Sequence, residues 1–476
     1  MRTLFAGVLA ACLAAPAAAQ EWLGANVSSY TGMHAAFANP AMLGIMRNQL
    51  QVGIVATNAQ ISTNMLSYSG PRGLGLFFKG YSLAGNAFDE IKGSNFSNGL
   101  NSLFSPNSWT RLRTGEHKDF SATAEVRGPF VAGTLGSLGF ALGYRLRGGI
   151  QIRNVSPAIA DLFFSGLKTA NPLLIGTQLR DATFSASANA YHEIYGSLAF
   201  PMLEIGPHYL GGGVTLKYLA GMYSAALTNR GLNYTLDSAN AITTTQADLS
   251  FQYVDNPVFA SDPFGGRGFG AGVDLGLVYE MRGLDAADNP YKTGKGYHRI
   301  RAGLSAVDAG FIEYAGQGIR RFDFNASNRT VHWNQIDTLK VKGAAGLDSL
   351  FRNVFGARNA TGSFSTGLPA VINAFVDVRV WKGVYVAGSA TQSLTAVAKG
   401  GLRAFSGFTL IPRYETRIVE VALPMGIGMN YNYFQPGFYA RVSGFFFGSD
   451  NLATFFGASN RTGISFYAGG FVPFKK

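Results

Sequence analysis

Alternation constrains this chain more than any other feature. Between Lys118 and Phe130, Phe120, Ala122, Ala124 and Val126 fall on one face, and Asp119, Ser121, Thr123, Glu125 and Arg127 on the other. A short turn is expected at 132–137, after which Leu138, Phe140, Leu142, Tyr144 and Leu146 alternate with Gly139, Gly143, Arg145 and Arg147. A period of two is the signature of a strand with one apolar and one polar face. The design returns at Leu50–Ala56, at Phe269–Tyr279, at Phe438–Phe446 and at Gly463–Phe474. By contrast, the nearest candidate for a transmembrane helix, the charge-free stretch 421–440, contains Pro424, Pro436 and several Gly and Asn residues, and makes a poor helix.

A soluble β-sandwich also alternates, but its solvent face is normally rich in Lys and Glu. Here the polar face is mostly Gly, Ser, Thr and Asn with single charges. Charged residues make up only 14% of the chain, while glycine reaches 61 of 476 residues and aromatics 13%; a typical soluble domain carries about 25% charge. In lipid, a chain without apolar helices can satisfy its backbone only by closing a sheet into a barrel. The expectation is therefore an all-β fold, a transmembrane antiparallel β-barrel of about 14 strands. Strand starts are expected near 49, 74, 118, 138, 183, 208, 231, 247, 268, 297, 370, 384, 417, 438 and 463.

The N-terminus reads as an export signal. Arg2 precedes an apolar run, Leu4–Leu13, and Ala17-Ala18-Ala19 supplies the small residues of a cleavage site after Ala19. Leu9-Ala10-Ala11-Cys12 is a competing lipidation box. Loss of the leader removes the only cysteine, and with it any disulfide or thiolate chemistry. The domain plan is thus a signal peptide over 1–19, a plug over 20–48 and a barrel over 49–476. With the C-terminus placed in the periplasm of an outer-membrane protein, Trp381-Lys382-Gly383 and Gln435-Pro436-Gly437 become short periplasmic turns. The stretches 314–369 and 448–462 become extracellular. Two short helices are expected there or nearby, at 157–168 and around Leu347, Leu350, Phe351, Val354 and Phe355.

The plug carries the functional hint. Asn39 suits a helix cap and Pro40 its first position, so a short helix should run from Pro40 to Met46. Met42, Leu43, Ile45 and Met46 then need an apolar seat, and the lumen offers one. Asn39, Pro40, Ala41, Met42 and Leu43 are the expected gate. Arg145, Arg147, Asp274, Glu280 and Arg441 are the expected lumen-lining residues.

Asn39-Pro40-Ala41 before the first strand resembles the hatch of the long-chain fatty-acid transporter (FadL-like) superfamily. A broader likeness rests on Ser29-Tyr30-Thr31-Gly32, Gly272-Val273-Asp274-Leu275-Gly276, Tyr297–Asp308, Leu368-Pro369 and Lys382-Gly383-Val384-Tyr385. Pro412-Arg413-Tyr414-Glu415 and Gly448-Ser449-Asp450-Asn451 extend it. Together these resemble an uncharacterised family of outer-membrane barrels of Bacteroidota. The resemblance implies a barrel and its location, and brings no ligand or activity.

Catalytic chemistry is not expected. The six histidines lack metal-ligand spacing, no nucleophile elbow or phosphate loop occurs, and His192 and Glu193 should face opposite ways on one strand. Asp450-Asn451 reads as a turn pair. The net charge of +12 is dispersed, which argues against nucleic acid and allows a mildly cationic interior favouring anions. Two function classes follow: a plugged channel or transporter for small, hydrophobic or anionic solutes, or a non-enzymatic subunit of an outer-membrane secretion or assembly complex. Neither needs a cofactor or metal. Outer-membrane lipid is the expected surrounding of both.

Overall fold

The computed structural model describes residues 22–474 apart from 69–108, 113–114, 161–174, 182, 239–240, 256–265, 284–296, 327–328, 333–347, 350, 354–355, 358, 361, 395–399, 429, 431–432 and 454–461. The expected leader, the expected strand near Leu74 and most of the helix expected around Phe355 lie outside those residues.

Fourteen wall strands close into one antiparallel barrel. They are β1 (Leu50–Thr63), β2 (Lys118–Leu135), β3 (Leu138–Val155), β4 (Phe184–Ile205) and β5 (His208–Ser238). Next come β6 (Ala241–Val254 continued by Gly268–Arg282), β7 (His298–Tyr314 continued by Ile319–Ala326 and Arg329–His332) and β8 (Phe364–Gly367 continued by Val371–Trp381). The rest are β9 (Val384–Ser393), β10 (Gly407–Glu415), β11 (Val419–Ala422 with Met425–Gly428), β12 (Tyr433–Pro436 with Phe438–Val442), β13 (Phe445–Ser449) and β14 (Thr462–Phe474). Each pairs with its sequence neighbour, and β14 returns to β1 in a register running from Leu50↔Phe474 to Thr63↔Thr462. Closure leaves no edge strand.

The alternation reads directly onto the wall. Leu142, Leu198, Leu216, Leu275, Leu304, Phe408, Phe447 and Val472 are exposed on outer faces, and every strand but β9 contributes a large exposed apolar side chain. Inner faces carry residues such as Arg145, Ser197, Thr215, Asp274, Arg301 and Arg413, all buried. A belt of that extent is untenable in water and is what acyl chains require. His192 and Glu193 do separate: Tyr144 on the outer face bonds His192, while Glu193 turns inward to Arg145.

Several expected boundaries move. The strands expected at 208 and 231 are one, β5, because a bulge at Met222 lets pairing continue past it with the faces exchanged. Those expected at 247 and 268 lie on one wall line, as both halves pair with β5. Gln435-Pro436-Gly437 is not a turn. It interrupts β12 in mid-course, where Pro436 has no N–H to give and Gly437 donates to the Pro424 carbonyl across the gap. The chain reverses instead around Asn430, where φ is +60°. The turn at Lys382-Gly383 falls where expected, with Gly383 at φ +71°. Phe351 is buried, stacked on Phe251 of β6 and near Phe322 of β7.

Candidate functional site

Residues 22–46 lie against the inner face of this wall. Two single-turn helices, Leu23–Asn26 and Met33–Ala36, and a 3-10 turn, Pro40–Ile45, follow one another, and nearly every residue is buried. Asn39 caps the last turn through a bond from the Ala41 N–H (3.0 Å), with Pro40 at its first position. The expected helix is thus present, in the tighter 3-10 form.

Glycines make room for it. A Cβ on Gly139 of β3 would fall 2.6 Å from the Leu43 carbonyl, and one on Gly276 of β6 would fall 2.9 Å from Pro40 Cδ. Gly213 of β5 and Gly303 of β7 stand equally close to Ala41 and Asn39. The wall glycines that make the polar face look featureless in sequence therefore form a groove under Asn39–Leu43. Polar bonds complete the seat. Asn39 Nδ2 donates to the Leu277 carbonyl (2.9 Å), while Ser305 Oγ and Asn373 Nδ2 both donate to the Ala38 carbonyl (2.6 and 3.1 Å).

The start of the segment is held by groups that sequence reasoning missed. The Asp450 carboxylate accepts from the Trp22 and Leu23 N–H groups (2.5 and 2.9 Å), satisfying donors that a single-turn helix leaves open. Asp450 therefore belongs to the seat, and not merely to a turn. Ser28 donates to Glu420 (2.7 Å), and the Ser29 N–H to Glu415 (3.2 Å). Replacing Asp450 with Ala should strand two buried N–H groups and weaken docking by about 1–3 kcal/mol. With the other tryptophans changed to Phe, Trp22 emission should then shift to the red.

Trp22 is fully buried, stacked on His34 (5.4 Å) and Tyr467 (5.0 Å) with the Arg127 guanidinium 4.0 Å from its ring centre. His34 has no hydrogen-bond partner at either ring nitrogen among the described residues. Phe130 and Phe446 close around it. Burial first, and then the neighbouring Arg127, hold its pKa well below the ordinary 6.5, against a smaller opposing pull from Glu125. An undocked His34 takes a proton below 6.5 and a docked one does not, so docking should weaken as pH falls below that value. In the same chain with Trp22 as its one tryptophan, emission against pH should show this loss, with a flatter profile once His34→Gln is added.

The five expected lumen residues all face inward, but they do not line an open bore. They belong to ion-pair networks flanking the segment. Arg145 contacts Glu125 (3.2 Å), Glu193 (2.8 Å) and Asp308 (3.3 Å), and Arg147 contacts Asp308 (2.8 Å). Lys217 bridges Asp274 (2.6 Å) and Asp308 (2.5 Å). Asp308 can reach all three cations because it sits at a bulge in β7 with φ +58°, its N–H held by Asp274. A non-glycine residue in that conformation is a local strain maintained by its surroundings. In a second network Glu280 pairs with Arg301 (2.9 Å), whose guanidinium also reaches Ser29. In a third, Asp377 takes a two-pronged bond from Arg413 and a third from His298, and Glu420 pairs with Arg441 (3.0 Å). The buried arginines are thus already matched by carboxylates, so an anion preference does not follow from Arg145, Arg147 or Arg441 themselves.

Above the segment is a chamber of about 150 Å³. Its floor includes Asn26, Phe37 and Ala38, its sides Thr123, Arg147 and Tyr191, and its upper boundary Leu402–Phe405. Those last residues come from the β9–β10 connection and cross the bore. The Arg403 backbone exchanges two hydrogen bonds with Gln151 on the opposite wall (2.8 and 2.9 Å), and Leu402 approaches Gly149.

No curated protein matches the chain in sequence. Among solved structures, the fold is similar to a FadL homologue of Pseudomonas aeruginosa, with 11% identity, 92% of this chain and 94% of that chain covered, and a TM-score of 0.38. It is also similar to the toluene transporter TodX of P. putida, with 8% identity, 94% and 95% covered, and a TM-score of 0.40. The toluene transporter TbuX of Ralstonia pickettii gives 10%, 92% and 93%, and 0.39. A family model described as a family of unknown function, DUF5723, matches residues 28–450, and the chain belongs to that family.

Proposed function

We propose that this chain is an outer-membrane channel for small solutes, closed at rest by residues 22–46. One observation carries the reading: residues 22–46, a separate stretch of polypeptide, are buried against inward-facing side chains and glycines of the wall. A 14-strand bore is wider than wall side chains can fill, which they do at about eight strands. A barrel serving only as a membrane anchor gains nothing from a bore that wide. The seat also suits a gate. Backbone carbonyls, hydroxyls and carboxylates hold it on several sides, and no covalent bond fixes it among the described residues. In this reading Asn39, Pro40, Ala41, Met42 and Leu43 are the part that must leave the glycine groove. Arg145, Arg147, Asp274, Glu280 and Arg441 keep the seat's geometry and become lumen walls once it leaves.

Solute flux into proteoliposomes containing the purified full-length chain tests the proposal. Flux above that of empty vesicles supports it. Absence of flux, with co-purification of stoichiometric partner proteins from native membranes, would favour a subunit of a secretion or assembly complex instead.

A further inference from the structure

The chamber between the N-terminal segment and residues 402–405 has a chemistry of its own. A space of about 150 Å³ accommodates a benzene-sized molecule or roughly five waters. Three aromatic rings, Phe37, Tyr191 and Phe405, contribute to its lining alongside Thr123 and Arg403. The charges beside it can be summed. Glu125, Glu193, Asp274 and Asp308 give −4, and Arg127, Arg145, Arg147 and Lys217 give +4, all joined in one network of contacts. That network closes at zero. Arg403 has no ion pair among the described residues, and it stands on the strap that bounds the chamber from above.

We propose that this chamber binds one small organic anion, a carboxylate on a flat apolar body about the size of a single ring. The ring surfaces of Phe37, Tyr191 and Phe405 take the body, and Arg403 supplies a cation with no carboxylate partner among the described residues, with a second unpaired cation, Arg153, behind the Phe405 ring (5.4 Å). A neutral hydrocarbon of the same size would have to displace water from Thr123 and the neighbouring ion pairs without replacing those hydrogen bonds. The proposal deepens the channel reading by naming a solute class. Binding is measured without flux, so the two fail separately: a chain that binds but does not conduct loses the channel, and one that conducts without binding loses the site.

Calorimetric titration of benzoate into the detergent-solubilised full-length protein is the test, with toluene as the neutral probe. Benzoate should bind at millimolar concentration or below, and toluene should not compete. Arg403→Gln should weaken benzoate by about tenfold or more, a change of ~1.4 kcal/mol or more, whereas Arg403→Lys should largely retain it. Thr123→Leu, which fills the chamber without touching its charge, should abolish binding and keeps the test open if Arg403→Gln does not fold. No benzoate binding, equal binding of toluene, unchanged affinity in Arg403→Gln, or unchanged affinity in Thr123→Leu would each overturn the proposal.

Discussion

Deleting residues 22–46 should raise single-channel conductance on the order of tenfold, because a 14-strand wall emptied of its filling encloses a water path. The wall should survive the deletion. Its closure depends on the β1–β14 register, which begins at Leu50, beyond the removed residues. The deletion takes away the hydrogen-bond partners of Asp450, Glu415, Ser305 and Asn373 on the segment, and each of these side chains is polar and tolerates water. Planar-bilayer recording of native and deleted chains in the same lipid measures the change. Equal conductance would show that the segment does not close the bore.

Arg413→Met should be the most destabilising single change in the interior. Arg413 is fully buried, bonded to both oxygens of Asp377 (2.7 and 2.8 Å) and close to Glu415 (3.1 Å) and Glu420 (3.7 Å). Its removal leaves three carboxylates with less compensation in a water-poor site. Breaking such a pair from one side typically costs about 3–5 kcal/mol. The same two acids, Glu415 and Glu420, accept from Ser29 and Ser28, so the loss should also loosen the N-terminal segment. Urea unfolding in lipid vesicles, followed by heat-modifiable gel mobility, should show it. Removing both partners in Arg413→Met/Asp377→Leu should cost less than Arg413→Met alone, since no unpaired Asp377 remains.

What a sequence can reveal depends on how local the signal is. Face parity is local: Leu138–Leu146 and Phe269–Tyr279 alternate within a few residues, and their apolar sides are the outer sides of β3 and β6. The Asn39 cap and Pro40 are local too, and a turn starts there as expected. Strand continuity is less local. The bulge at Met222 exchanges the faces of β5 and makes one strand look like two, while Pro436 pairs with Met425 and Gly437 with Pro424 across β11 and β12, making one line look like a turn. β10 and β13 escape a sequence reading, since β13 has five residues and Pro412 sits within β10. The seat is the least legible part. Asp450 meets Trp22 across 428 residues, and Asp308 acquires its role from a backbone bulge. No spacing in the chain encodes either contact.

The central claim is that apolar faces meet lipid while polar faces turn to the bore. It is tested most directly by spin labels at neighbouring positions of paired strands in lipid vesicles. Leu198 and Leu216 are exposed on the outside, whereas Ser197 and Thr215 share a hydrogen bond (2.7 Å) inside. Labels at 198 and 216 should relax strongly with dissolved oxygen and weakly with a water-soluble nickel complex. Labels at 197 and 215 should lack that oxygen preference. The reverse pattern, or no difference between neighbours, would contradict the account.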